Sequence, residues 1–188
     1  DLNVPAIKIG SGELTNYKLL DRATSTGRPL IVSTGMSNLA TIRDAHEFLA
    51  ERTDSFALLY CVSAYPTEPT DFKLDTIGRF EDEFDRPIGF SDHSTGTEAA
   101  TIAMAKGAAI VEKHFTLDRR LPGPDQAVSS EPEALEELVN NAELMAKTRG
   151  ETPSVQEEEA AVSEWARHSV VTKRDVTAGT VLTEDELT

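Results

Sequence analysis

The stretch 88–116, IGFSDHSTGTEAATIAMAKGAAIVEKHFT, decides the fold class. It contains a short apolar run at 88–90, a helix-like segment at 97–106 and a second apolar run at 109–113. Short runs rich in Ile, Val and Leu that alternate with helical segments are typical of buried parallel strands. This unit therefore predicts an α/β fold whose strands form a parallel sheet.

The same unit recurs toward the start of the chain. Its spacing suits a (β/α) barrel, but a doubly wound sheet has the same local pattern, so the periodicity leaves both architectures open. Five strands would be three fewer than the eight that close a barrel. The further apolar runs are 6–9, 30–32 and 57–62, and the further candidate helices begin near Thr15 or cover 38–51 and 74–84.

The last third of the chain has a different pattern. A long helix is expected over Pro132–Thr148, and residues 150–162 are acidic, rich in Ala and interrupted by Pro153, which is typical of a linker. Two short strands around a turn, at 169–173 and 178–182, indicate the beginning of another domain. The predicted divisions are a partial barrel domain at 1–149, a linker at 150–166 and the start of a second domain at 167–188.

Composition restricts the partners and the compartment. A net charge of −15 argues against nucleic acid or an anionic membrane as a partner, because both are polyanions. The sequence has no apolar run long enough for a membrane span and no signal-peptide pattern at its start, and its one cysteine, Cys61, fits a core thiol in a reducing cytoplasm. The acids are spread along the chain, which leaves open an ordinary acidic protein or one that works at high salt. The missing initiator Met leads us to expect a piece of a longer protein.

Titratable side chains follow the apolar runs, where parallel α/β folds carry their sites. His93 and His114 follow neighbouring runs, so we expect both imidazoles at one mouth, either as metal ligands or as ordinary hydrogen-bonded histidines. Lys8 lies within an apolar strand, so we expect an anion or a carboxylate beside it, because an unpaired buried ammonium is costly.

The other candidates each have a structural alternative. Hydroxyls beside glycines can bind a phosphate or can cap turns and helices, and these are Ser11, Ser33 and Ser91. Glu13 and Asp92 are candidates for proton transfer, although Asp92 can instead orient a neighbouring histidine. The loop 121–125 is rigid and would place Asp125 over the mouth, or serve only as a loop.

Five motifs, in this order and spacing, resemble the N-acetylneuraminate (sialic acid) synthase family, which includes legionaminate, pseudaminate and spore-coat polysaccharide synthases. The resemblance implies a (β/α)8 TIM barrel of which this chain supplies about strands four to eight. Residues 167–188 are similar to the start of the family's antifreeze-like (SAF) domain. The motifs are KIGSGE (8–13), STGM (33–36), GFSDH (89–93), EKHFT (112–116) and PGPD (122–125).

The resemblance also implies an activity. Family members condense phosphoenolpyruvate with N-acetylmannosamine or a related acetamido sugar, giving a nonulosonic acid and phosphate. They use a divalent metal, usually Mn²⁺ with Mg²⁺ or Co²⁺ as alternatives, and they form homodimers. By position, the resemblance implies that His93 and His114 bind the metal and that Lys8, Ser11, Ser33 and Ser91 bind phosphoenolpyruvate. It implies that Ser63 and Tyr65 belong to the same pocket. It also implies that Glu13 transfers a proton and that Asp125 faces the sugar.

Departures from the family pattern keep two alternatives open. Val62 and Ala64 stand where many relatives have Thr and Glu, and the family's first three strands and most of its SAF domain have no counterpart here. One alternative is another phosphoenolpyruvate-condensing barrel aldolase that makes a deoxy-sugar phosphate, against which the SAF-like tail argues. The other is a non-catalytic truncated remnant, against which the retained Lys8, Glu13 and histidines argue.

Overall fold

The computed structural model describes residues 3–150 and 153–188, in two compact units. The first unit ends at Thr148 and the second begins at Arg149. All five predicted strands and all five predicted helices of the first unit are present. They are β1 Ile7–Ile9, α1 Tyr17–Thr24, β2 Leu30–Ser33, α2 Leu39–Ala50, β3 Phe56–Cys61, α3 Asp75–Glu83, β4 Ile88–Asp92, α4 Glu98–Ala105, β5 Ile110–Lys113 and α5 Pro132–Thr148.

The five strands form one parallel sheet in the order β1-β2-β3-β4-β5. Each strand pairs with the next one along the chain, whereas a doubly wound sheet reverses its strand order at a switch point. Residues of both outer strands, β1 and β5, line one cavity, so the sheet is curled. The first unit is therefore an α/β half-barrel, which decides between the two architectures that periodicity left open.

Helices pack on the convex face of the curled sheet. Leu20 of α1, Leu49 of α2 and Ile77 of α3 are fully buried with Leu58 and Phe90 of the sheet in one core cluster. Each such side chain stabilises the fold by roughly 1.5–3 kcal/mol relative to leaving it in water. The helices leave the concave face uncovered, and polar side chains lie on it at the carboxyl ends of the strands.

Asparagine caps set the starts of two helices. The Asn16 side chain accepts a hydrogen bond from the Leu19 N–H at 3.2 Å, and the Asn38 side chain accepts one from the Thr41 N–H at 3.0 Å. Such caps satisfy backbone donors that have no partner within the first turn. They place the helix starts one or two residues after the positions that the apolar pattern indicates.

The segment predicted as a linker contains a helix that the sequence did not predict. Residues 157–166 form this helix, α6 (Glu157–Ala166). Gln156 and Glu159 form a capping box. Glu157 and Glu158 lie in the first turn, where the helix dipole stabilises negatively charged side chains. The acidic and Ala-rich composition is therefore also that of a capped helix, and the division into domains stays a prediction.

The two strands predicted at 169–173 and 178–182 do not pair with each other. Val171 exchanges backbone hydrogen bonds of 3.0 and 2.9 Å with Thr188, beside a single bridge between Thr172 and Leu187. Around 178–182, Gly179 adopts φ 89° and the Thr180 N–H donates to the carbonyl of Thr177 at 3.1 Å. This turn at a left-handed glycine prevents a strand there.

Within 3–150 and 153–188, none of the helices combines the length and the apolar character needed to cross a membrane.

Candidate active site

The carboxyl ends of the five strands surround a cavity of about 320 Å³ on the concave side of the sheet. Most of the side chains predicted to form the site line it, and the exceptions are Glu13, Asp92 and Asp125. The cavity is also lined by five residues that were not predicted as site residues, namely Gly10, Gly12, Met36, Cys61 and Glu112. The predicted residues that line it are Lys8, Ser11, Ser33, Ser63, Tyr65, Ser91, His93 and His114.

Two histidines stand side by side at the ends of β4 and β5. The ring centroids of His93 and His114 are 5.3 Å apart, as their positions on neighbouring strands predict. The Nδ1 atom of His93 lies 2.8 Å from the carbonyl oxygen of Val62, so Nδ1 carries the proton and donates. Nε2 of His93 is thereby left as an acceptor or a metal ligand.

Tyr65 packs against both imidazoles. Its ring centroid lies 4.1 Å from that of His93 and 5.6 Å from that of His114, the latter in an edge-on arrangement. Burial raises the pKa of the Tyr65 hydroxyl, and the nearby Cys61, Asp125 and Glu112 add to the effect. Tyr65 is therefore an uncharged side chain that packs against the two rings and restricts their orientation.

The histidine pair fits two positions in the coordination shell of a divalent ion. Imidazole nitrogen suits transition metals such as Fe and Zn, and water or substrate oxygens in the remaining positions would suit Mn. The hydrogen bond from His93 Nδ1 to a carbonyl is the type of outer contact that orients ligating histidines. Among the residues that the structure describes, no group of three or more His, Cys, Asp or Glu side chains is arranged to hold an ion. These residues would thus supply two ligands and leave the other positions to water or substrate.

Lys8 meets a carboxylate, as the sequence predicts, although its side chain is 32% exposed and not buried as that prediction assumed. Its Nζ donates to Ser33 Oγ and to the carbonyl of Ile9, both at 2.8 Å, and lies 3.6 Å from Glu112 Oε1. The same Glu112 oxygen accepts a hydrogen bond from Ser91 Oγ at 2.8 Å. Lys8, Ser33, Ser91 and Glu112 thus form one polar cluster inside the curled sheet.

Glu112 could have been found by strand alternation. It lies on β5 two residues before His114, which directly follows the strand, so both side chains project to the same side. The same rule groups Ser91 of β4 with His93, which directly follows that strand.

A glycine allows two serine hydroxyls to lie close to the backbone of residue 35. The Gly35 N–H donates to Ser11 Oγ at 3.1 Å. A Cβ atom at position 35 would lie 2.4 Å from Ser63 Oγ and 2.8 Å from Ser11 Oγ, which is closer than such atoms can come. Only glycine therefore permits this arrangement of hydroxyls.

Cys61 is buried, as predicted, but its sulfur belongs to the cavity. Sγ lies 3.9 Å from His93 Nδ1 and 3.9 Å from Ser63 Oγ. Burial by itself raises the pKa of Cys61, but hydrogen bonds from His93, Ser11 and Ser63 lower it. Burial by itself lowers the pKa of His93, but the contacts with Cys61 and with the Val62 carbonyl raise it. The net result is a lowered pKa for Cys61 and a raised pKa for His93.

Asp92 lies outside the cavity because alternation turns it to the opposite side of β4 from His93. Its carboxylate is fully buried, with Oδ2 2.9 Å from Lys113 Nζ and Oδ1 accepting from the Ser94 N–H at 2.8 Å. Lys113 also donates to the carbonyl of Ser94 at 2.7 Å. Its hydrogen-bond partners are Lys113 and Ser94 and not a histidine, so this location fits a buried structural ion pair and supports neither proton transfer to a substrate nor the orienting of a histidine.

Glu13 and Asp125 flank the cavity without lining it. Glu13 is exposed on the short 3₁₀ helix Ser11–Glu13, and its carboxylate accepts a hydrogen bond from Asn16 at 2.6 Å. Asp125 is half-exposed, with Oδ2 3.8 Å from His114 Nδ1. Of the three acids that the sequence singled out, Asp125 is the one whose carboxylate lies beside a cavity-lining histidine.

Several known proteins are similar to this chain in sequence. The sequence model of the NeuB family matches residues 1–154. The chain is 38% identical over 190 residues to the N-acetylneuraminate-9-phosphate synthase of Homo sapiens, covering 100% of this chain and 53% of that protein. It is 36% identical over 194 residues to the N,N'-diacetyllegionaminic acid synthase of Legionella pneumophila, covering 99% of this chain and 54% of that protein.

A solved structure has the same fold. A crystal structure of an N-acetylneuraminic acid (sialic acid) synthetase from Leptospira borgpetersenii superimposes with a TM-score of 0.81 at 36% identity, covering 87% of this chain and 57% of that one. The chain spans about half the length of the curated relatives it matches.

Proposed function

This chain belongs to the NeuB family, and from that premise we propose that the protein containing it condenses phosphoenolpyruvate with an N-acetylated amino sugar to give a nonulosonic acid and phosphate. The observation that supports the proposal is the convergence of one ammonium group, several hydroxyls and two histidines in a single cavity. These are the groups that a doubly anionic substrate and a polarised carbonyl require.

Lys8, Ser33 and Ser91 bind the anionic end of phosphoenolpyruvate in this proposal. Lys8 already donates to Ser33, so the ammonium and the hydroxyl are held together before the substrate arrives. A fixed cation is needed here because the chain carries a net charge of −15, whose field repels anions. Preorganised donors of this kind stabilise charge without reorganising during the reaction.

His93 and His114 would hold the divalent ion, with Mn²⁺ as the family's usual choice. When bound, the ion supplies Lewis acidity that polarises the aldehyde of the open-chain sugar. Tyr65 fixes both rings, and Asp125, beside His114, is placed to orient the sugar. Glu13 lies on the same short helix as Ser11. We assign to it the acceptance of a proton from the water that adds at C2 of the enolpyruvate.

We propose the finer architecture on the same basis. The five strands correspond to about strands four to eight of a (β/α)8 barrel, and residues 167–188 to the start of an SAF domain. A half-barrel leaves the backbone edges of β1 and β5 available for further strands. A homodimer and a cytoplasmic location stay predictions from the family resemblance and from the composition.

The test is product formation by the complete protein. It is incubated with phosphoenolpyruvate, Mn²⁺ and either N-acetylmannosamine or a 2,4-diacetamido sugar, while phosphate is measured and the nonulosonic acid is sought by mass spectrometry. We expect phosphate and nonulosonic acid in equal amounts with one of these sugars. Product from an aldose phosphate, and from no acetamido sugar, would favour the other class of barrel aldolase.

A further inference from the structure

One carboxylate lies among the groups to which the proposed function assigns anion binding. Glu112 extends from β5 into the cavity, with its side chain 40% exposed. Its Oε1 atom lies 3.6 Å from Lys8 Nζ and accepts the Ser91 hydroxyl hydrogen bond at 2.8 Å. Of the residues that line the cavity, Lys8 alone carries a permanent positive charge and Glu112 alone a carboxylate.

These contacts use the donors that an anionic ligand needs. A serine hydroxyl has one proton, so Ser91 cannot donate to Glu112 and to a phosphate oxygen at the same time. An anion beside Lys8 would also lie within a few ångströms of the Glu112 carboxylate, and two negative charges at that separation repel each other.

We propose that Glu112 is an internal competitor for the anion site, occupying Lys8 and Ser91 and thereby weakening the binding of the substrate's phosphate or carboxylate group. The inference rests on the proposed function, since it needs Lys8 and Ser91 to be the anion-binding residues. Glu112 is a residue that adjusts affinity and is not assigned a chemical step. The same repulsion favours departure of the phosphate that the reaction releases.

The proposal predicts a gain of binding when the charge is removed. Glu112→Gln keeps the length of the side chain and an oxygen that can accept from Ser91, but it removes the negative charge beside Lys8. Because Glu112 is partly exposed, water screens the repulsion, and we expect inorganic phosphate to bind about tenfold more tightly to the variant. A variant that merely disturbs the fold cannot produce this gain.

The experiment is isothermal titration of the complete protein with inorganic phosphate. Glu112→Gln is compared with the wild type, with Lys8→Met and with Glu133→Gln. Glu133 is an exposed residue in the first turn of α5, so its substitution changes the net charge equally without touching the cavity. Circular dichroism confirms that each variant is folded.

The outcomes separate this inference from the proposed function. Tighter binding by Glu112→Gln, with Glu133→Gln matching the wild type and Lys8→Met losing most of the affinity, is the expected result. Unchanged or weaker binding by Glu112→Gln, while Lys8→Met still loses affinity, overturns the competition and leaves the anion site in place. Wild-type affinity in a folded Lys8→Met variant overturns both assignments.

Discussion

Lys8 on the first strand and Glu112 on the fifth come within 3.6 Å of each other, although three strands lie between them in the sheet. Strands spaced about 4.8 Å apart would place these two positions roughly 19 Å apart in a flat sheet. Their contact therefore requires a sheet that curls, with both side chains on the concave face. That curvature brings distant parts of the sequence into one polar cluster.

The buried ion pair between Asp92 and Lys113 is predicted to be essential for stability. Both side chains are almost fully buried, at 0% and 2% exposure, so removing one partner leaves an uncompensated charge. We expect Lys113→Met to lower the free energy of unfolding by about 3–5 kcal/mol in urea denaturation.

A surface pair provides the matched control. Lys106 and Asp75 are 2.6 Å apart but 49% and 89% exposed. Lys106→Met should change the free energy of unfolding by less than about 1 kcal/mol. Equal losses in the two variants would contradict the importance given to burial of the Asp92–Lys113 pair.

Gly35→Ala is predicted to displace two serine hydroxyls of the cavity. The methyl group of Gly35→Ala would collide with Ser63 Oγ and Ser11 Oγ, so the hydroxyls must move apart. Because a misplacement of this size is costly in a preorganised site, we expect the KM for phosphoenolpyruvate to rise about tenfold. Gly78→Ala on α3, where a Cβ meets nothing within 4 Å, should leave that KM unchanged, and the same rise in both variants would exclude the proposed collision.

His46 is predicted to make the fold less stable in acid. It packs against Phe56 and Phe84, and its Nε2 is buried without a hydrogen-bond partner among the described residues. Burial, with the nearby Arg86, lowers the pKa of His46 below its ordinary 6.5, while Glu47 opposes this. His46 therefore has a lower pKa in the folded state than in the unfolded state, and the unfolded state binds the proton more readily. Above about pH 6.5 His46 is neutral in both states and its contribution to stability is fully present. That contribution is lost as the pH falls through the pKa of the folded state.

His46→Phe removes this proton uptake. The fall in unfolding free energy between pH 7 and pH 5, measured by urea denaturation, should be smaller in the variant than in the wild type. Identical falls would show that His46 is not protonated more readily on unfolding.

The sequence predicted the elements whose pattern is continuous and missed those that depend on local contacts. The five apolar runs and the long amphipathic helix Pro132–Thr148 could be predicted because burial imposes their composition. The helix Glu157–Ala166 was missed because acidic composition was weighed above the capping box at Gln156.

Site residues followed the same division. The histidine pair could be predicted from two matching strand ends, and its spacing was found as expected. The sequence does not identify Glu112 as a site residue, because Glu112 lies inside an apolar run. The sequence makes Asp92 a candidate for proton transfer, because composition alone does not show to which side of a strand a side chain points. Period-two alternation from His93 and His114 supplies that information.

The central claim is that the cavity with the two histidines is a metal-dependent condensation site. Its most direct test is the rate of phosphate release from phosphoenolpyruvate by the complete protein, with Mn²⁺ and the accepted acetamido sugar, in the wild type, His114→Ala and His168→Ala. His168 is an exposed histidine of the second unit and serves as the matched control. We predict Mn²⁺-dependent release that falls at least about hundredfold in His114→Ala and is unchanged in His168→Ala. A His114→Ala protein that releases phosphate at the wild-type rate would contradict the account.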